Sequence, residues 1–203
     1  MEFKDALTAR RSIRQFKDDP LPAGTVAELL EAARLAPSGT NLQPWRFLAV
    51  TSLEMKKKLA DCTYNVGFLA QAPLTMVCCA DVSALETRGQ RVRELQENGA
   101  FAGTDLEKLS ADNYTQKANR DDATNLAYLN LNVAIAIEHM ILRGVDLGLG
   151  SCWVMLFSQR RVKELLNLPG TLHVTALVPF GYPAQQPKAR PRLAQADIFL
   201  GEV

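Results

Sequence analysis

Three groups of residues in this 203-residue chain have the types and spacing for chemistry. The first is Arg10-Arg11-Ser12-Ile13-Arg14, guanidiniums flanking a hydroxyl at the end of a short helix. The second is Lys188-Ala189-Arg190-Pro191-Arg192, whose alternation in extended geometry projects the cations the same way. Guanidinium forks beside a hydroxyl suit a phosphate monoester, because planar N–H pairs meet two anionic oxygens at once. Taken alone, either cluster also reads as a solvated helix end or a soluble basic tail. The third group is the hook Pro37-Ser38-Gly39-Thr40-Asn41-Leu42-Gln43-Pro44-Trp45. Its Ser38, Asn41 and Gln43 are short hydrogen-bonding side chains on a proline-anchored loop. They suit the heteroatom edge of a planar ring, and they also suit a plain capped turn.

Signatures of protein-borne catalysis do not occur. Gly148-Leu149-Gly150 has Trp153 where a G-x-G-x-x-G needs its third glycine, and there is no P-loop lysine, H-E-x-x-H or G-x-S-x-G. Cys62, Cys78, Cys79 and Cys152 fit no metal knuckle and no C-x-x-C pair, so no metal site is expected. They read as buried small hydrophobes, with Cys78 and Cys79 on opposite faces of a strand. His139 and His173 lie within an apolar helix and an apolar strand, where a satisfied histidine is the simpler reading. No side chain is assigned as a catalyst, which points to a borrowed reactive group.

The elements that must position these groups follow from periodicity. Phe3 and Leu7 start a short helix that runs into the first basic cluster. A second begins near Pro22, carries Val26, Leu29, Leu30 and Ala33 as a stripe, and stops at Pro37. Strands are expected over Arg46–Ser52 and Leu74–Ala80. In the polar stretch Ser83–Arg120, Ser83 with Glu86 and Thr104 with Glu107 fit capping boxes, predicting two helices joined near Gly99–Gly103. Asp121–Gly144 is the strongest helix. Leu126, Leu129, Val133, Ile137, Met140 and Gly144 form one seam, and Leu131, Ile135 and Leu142 form a second apolar face. Two apolar faces place it at the centre of the monomer or at a subunit interface, and Glu138 with His139 disfavour a membrane span. Gly148–Phe157 reads as turn and strand, Ser158 caps a helix to Leu166, and Thr171–Phe180 is a β-branched strand. Pro-rich coil from Gly181 to Pro191 precedes the apolar tail Ile198-Phe199-Leu200.

Composition bounds the rest. With 23 Lys and Arg against 22 Asp and Glu, the net charge of +1 provides no global field for nucleic acid or an anionic membrane. The 47% hydrophobic content supports a sizeable core without staples. The charged start lacks an apolar signal region, and with no disulfide pattern a cytoplasmic protein is expected. No repeat or linker divides the chain, so a single α+β domain over residues 1–203 is expected.

Read together, Arg10-Arg11-Ser12-Ile13-Arg14 and Ala36-Pro37-Ser38-Gly39-Thr40-Asn41-Leu42-Gln43-Pro44-Trp45 resemble the N-terminal signature of the nitroreductase family of FMN enzymes. Later features arrive in that family's order: Ala72-Pro73 before a strand, a long central helix, Gly148-Leu149-Gly150-Ser151-Cys152-Trp153, and Gly181-Tyr182-Pro183 before a basic tail. The resemblance covers nearly the whole chain. It implies a three-layer sandwich, a mostly antiparallel sheet between helices, forming an intertwined homodimer with two noncovalent FMN sites at the interface. Arg10, Ser12 and Arg14 are then similar to the family's contacts to phosphate, ribityl chain and pyrimidine edge, with Arg11 beside them. Pro37, Ser38, Gly39 and Asn41, with Gln43, resemble the hook that closes the site from the other subunit. Trp153, Val154 and Met155 resemble the segment along the flavin face and N5 edge, and Lys188 and Arg190 the C-terminal phosphate clamp. Asn65 stands nearest to a polar contact the family often supplies.

The implied activity is an FMN-dependent NAD(P)H oxidoreductase, ping-pong through flavin N5 to a small acceptor such as a nitroaromatic or quinone, with Arg14 as electrostatic support. Residues 83–120 would build its helical lid and 181–203 a C-terminal extension. Other FMN chemistry on the same fold (reductive dehalogenation, enone reduction, azoline oxidation) is the main alternative. A non-enzymatic anion or nucleic-acid binder is the second, which the net charge opposes.

Overall fold

A computed structural model of the chain describes residues 1–118 and 120–203. Its sheet has four antiparallel strands, β1 (Trp45–Val50), β2 (Leu74–Asp81), β3 (Gly150–Ser151) and β4 (Leu172–Gly181), in the order β1-β2-β4-β3. The helices are α1 (Phe3–Ala9), α2 (Thr25–Arg34), α3 (Leu53–Asp61), α4 (Arg88–Glu97), α5 (Ala111–Ala118), α6 (Asp122–Asp146), α7 (Gln159–Leu165) and the four-residue α8 (Gln195–Ile198).

Strand alternation builds two cores. Leu74, Met76, Cys78 and Ala80 of β2 point at α2 and α6, where Leu29, Ala33, Leu129, Val133, Ile137 and Met140 meet them. Val77 and Cys79 point the other way, toward Leu59 of α3 and Val162 of α7. Helices thus cover both sheet faces, giving the expected three layers, and the two adjacent cysteines face apart. Every residue of β2 is buried, as a central strand covered on both faces must be. Between Cys78 and Cys79 the register slips by one, leaving Thr175 of β4 without a partner. Its hydroxyl donates instead to Asn130 Oδ1 of α6 at 2.7 Å, so the bulge leaves no orphaned hydroxyl.

The central helix runs one turn's fraction beyond expectation at its C-terminal end, and Asp121 caps it, accepting from the Thr124 N–H. It is long and apolar enough to cross a bilayer by composition, but it packs on α2 and the sheet and buries Asn125 and Asn132. That is the pattern of a core helix. Within one chain the second apolar face is only partly covered, since Ile135 is half-buried and Leu131 is 62% exposed.

Several expectations are corrected. Asp81, not Ser83, caps the segment after β2, accepting from both the backbone N–H and the hydroxyl of Ser83. A carboxylate two residues earlier takes the place of the serine as acceptor, and a 3-10 turn over Val82–Thr87 precedes α4. Thr104 caps a second 3-10 turn, Asp105–Lys108, but Glu107 reaches back to the Gly103 N–H rather than closing the box on Thr104. The strand expected over Gly148–Phe157 shrinks to Gly150–Ser151 and isolated bridges from Val154 to Leu177 and from Phe157 to Thr63.

Candidate functional site

The first basic cluster is extended chain pinned at the sheet edge. The N–H of Ile13 donates to the Ser151 carbonyl at 2.8 Å, Ser12 bridges Ser151, and Lys17 N–H donates to Tyr182 O at 2.9 Å. Around Ile13, which is buried with Ala72, Ser12 is partly exposed and Arg14 exposed, and beyond the exposed Gln15 the chain buries Phe16 in the same cluster. Gly150 is required here because a Cβ would stand 2.4 Å from Ile13 Cγ1.

The C-terminal cluster folds back onto this strand. One cavity of about 460 Å³ is lined by Arg10, Arg11, Ser12 and Arg14 together with Lys188, Arg190 and Arg192. Residues about 175 positions apart in sequence thus share one concave surface, although the net charge is only +1. Low-dielectric walls focus such a field, and its donor set fits a phosphate dianion. Leu7 and Thr8 of α1 and Pro187 and Ala189 also line it; the sequence did not point to Leu7 or Thr8, whereas the alternation of cations already marked Arg192.

Individual arginines differ. Arg10 Nε stands 3.9 Å from Glu138 Oε1 of α6. Burial pushes the Glu138 carboxyl up from its ordinary range, with Arg10 and then His139 opposing the shift. Arg11 turns back, donating to the carbonyls of Thr8 at 2.6 Å and Arg10 at 2.8 Å, so its charge reaches the cavity while these donors serve the backbone. Arg14 is exposed apart from a long 3.5 Å contact to Ser12 O. Nearby, burial raises the Cys152 thiol above its usual value, against the pull of Arg14.

The hook sits elsewhere on the chain. Thr40, Asn41 and Gln43 have φ of 51°, 51° and 48°, and a β-branched threonine in that region is strained. Two groups on α6 hold it: Gly39 N–H donates to Asn132 Oδ1 at 2.8 Å, and the Tyr128 hydroxyl donates to Gly39 O at 3.0 Å. Ser38 Oγ accepts from Gln43 N–H at 3.0 Å, and the Gln43 amide donates to Asn41 Oδ1 at 2.9 Å. Pro37 and Asn41 remain exposed. Tyr128 and Glu138 are ten residues apart on α6, so about 15 Å of helix separates the hook from the Arg10 contact. Within one chain the hook does not join the cationic cavity.

The segment after β3 is anchored by Val154, whose N–H and carbonyl both pair with Leu177 at 3.0 and 2.9 Å. The Val154 backbone is thereby committed to β4, and the flanking Met155 is 65% exposed. A strand-like run from Thr63 lies against it, with Thr63 bridging Phe157 and Tyr64 N–H donating to Leu156 O at 3.2 Å. Exposed Tyr64 and Asn65 (φ 62°) thus stand beside Met155 and Leu156, a placement that sequence spacing did not indicate for Tyr64. Among the described residues no cluster of His, Cys, Asp or Glu could hold a metal ion.

The family described as "Nitroreductase family" matches residues 7–182. An NADH dehydrogenase of Thermus thermophilus is 33% identical over 98% of this chain and 96% of its own. An FMN reductase [NAD(P)H] of Bacillus subtilis is 25% identical over 97% of this chain and 72% of its own. An Exiguobacterium sibiricum protein solved in complex with FMN superposes with a TM-score of 0.84 at 20% identity, covering 100% of this chain and 98% of that one.

Proposed function

The chain belongs to the nitroreductase family, and on that premise we propose that it is an FMN-dependent NAD(P)H oxidoreductase working as an intertwined homodimer on a small acceptor such as a nitroaromatic or quinone. The observation that carries this reading is the single cavity shared by residues 10–14 and 188–192. Its donor set suits a phosphate monoester, the group that distinguishes FMN from free flavin. Relatives described as an FMN reductase and as an FMN complex support the same cofactor.

Bound FMN would supply the redox chemistry, accepting hydride from NAD(P)H at N5 and passing it to the acceptor in a ping-pong cycle. This chain's residues would bind, orient and polarise. Arg10, Lys188 and Arg190, with Arg192, hold the phosphate, while Ser12 meets the ribityl chain and Arg14 the pyrimidine edge. A guanidinium at that edge stabilises the negative charge that gathers there on reduction. Trp153 and Met155 present backbone at the flavin face, because Val154 is committed to β4. The hook of Pro37, Ser38, Gly39, Asn41 and Gln43 serves the second subunit's site, consistent with its distance from its own Arg10. Leu131 and the tail Ile198-Phe199-Leu200, all more than half exposed, supply apolar surface for that subunit to cover.

The test is flavin titration of single variants. Arg10→Ala and Arg190→Ala should each weaken FMN binding by about 2–4 kcal/mol, the loss of a charge-assisted contact to phosphate. Wild-type affinity in both would overturn the assignment.

A further inference from the structure

Arg88 is the first residue of α4 and is 5% exposed, and among the described residues it has no carboxylate partner. A buried guanidinium is costly unless its surroundings compensate the charge. Two groups do so. Its Nη1 donates to the carbonyl of Ala118 at 2.9 Å, and its Cζ stands 5.7 Å from the centroid of the Tyr128 ring. Ala118 ends α5, where unsatisfied carbonyls form the negative end of a helix, a natural seat for a cation. One side chain thereby joins the start of α4 to the end of α5, closing the neck of the 83–120 excursion against α6.

Tyr128 carries the connection further. Arg88 lies over its face and the hook hangs from its hydroxyl, through the 3.0 Å bond to Gly39 O. There is little slack at that point. A Cβ on Gly39 would fall 2.1 Å from Tyr128 Oη, and Asn132 fixes the Gly39 N–H from the other side. Helix α4 also packs directly on the Gly39–Asn41 turn.

We propose that Arg88 is a positioning residue that clasps the 83–120 excursion onto α6 and, through Tyr128, sets the hook in place against the flavin. This rests on the reading of the hook given under Proposed function. The guanidinium is suited to the task because its plane can lie on an aromatic face while its edge donates. The excursion and the hook are then parts of one linked unit, so a change in one alters the other.

The experiment is a double-mutant cycle on the full-length, FMN-titrated protein. It compares wild type, Arg88→Met, Tyr128→Phe and the double variant, with Asn41→Ala as a direct hook reference and Arg88→Lys as the conservative replacement. Arg88→Met should weaken FMN binding about threefold to tenfold, and Arg88→Lys should recover part of that loss. Tyr128→Phe cuts the hydroxyl link, so the double variant should be no weaker than the weaker single one, a non-additivity that mere destabilisation would not produce. If Arg88→Met does not fold, Arg88→Lys takes its place in the cycle. Weakened binding in Asn41→Ala with unchanged binding in the Arg88 variants, or with fully additive losses, would overturn this inference alone. Unchanged binding in Asn41→Ala would overturn the hook reading and this inference with it.

Discussion

Replacing Gly150 by Ala tests how the arginine strand is held. The added Cβ would fall 2.4 Å from Ile13 Cγ1 and 2.9 Å from Ile13 Cβ. Carbon atoms settle at about 3.5–4.0 Å, so Ile13 must retreat by roughly 1 Å. Because Cβ is among the atoms struck, a change of rotamer cannot relieve the clash and the backbone must move. Ile13 is 4% exposed and packed with Phe16 and Ala72, which blocks its retreat. An alanine in place of glycine stabilises by about 0.4–1 kcal/mol through the unfolded chain, whereas overpacking costs about 1–3 kcal/mol. Overpacking therefore wins, with a net loss of about 1–2 kcal/mol, or roughly 2–8 °C in Tm for a chain of this size. The displaced residue lies between Ser12 and Arg14, so FMN affinity should fall as well. Gly170→Ala is the control, since a Cβ there meets nothing within 4 Å. Thermal unfolding and FMN titration read both effects. A Gly150→Ala protein with wild-type Tm and wild-type flavin affinity would refute the reasoning.

Arg14→Gln should leave FMN bound while lowering its two-electron potential, because the charge that favours the reduced ring is gone. A loss of about 1.4 kcal/mol corresponds to about 30 mV in a dye-coupled titration, and a potential at or above wild type would send Arg14 back to a phosphate or structural role. Cys152→Ser should retain most activity. Burial holds the Cys152 thiol above its ordinary range, so it stays protonated at neutral pH despite Arg14, and a hundredfold loss with FMN bound would contradict this. Light scattering of the dilute, flavin-loaded protein should give a dimer, and a stable monomer retaining FMN would exclude the intertwined assembly.

How far each part of the structure was legible depends on the range of the forces that shape it. Helix α6 could be read almost to the residue, because its 3.6-residue apolar seam is local in sequence. The same holds for the alternation that sends Cys78 and Cys79 into separate cores. Caps in the 83–120 excursion were misread because two acceptors compete there. The pattern of Ser83 and Glu86 cannot reveal that Asp81, at the end of a strand, is better placed.

At the site, residue types alone determined the chemistry on offer. Guanidiniums around a hydroxyl suit a phosphate as well as a solvated helix end, and the missing catalytic signatures already pointed to a borrowed reactive group. The family resemblance already pointed both basic clusters at one phosphate, but from the residues themselves only the tertiary structure brings 10–14 and 188–192 to one cavity, because chain entropy leaves segments about 175 residues apart uncorrelated until the sheet edge joins them. It also separated the hook from that cavity by about 15 Å of helix. The pairing of Tyr64 with Leu156 and the seat of Arg88 between Ala118 and Tyr128 were likewise decided there. These are contacts between elements, set by how layers pack, and no periodicity within either element encodes them.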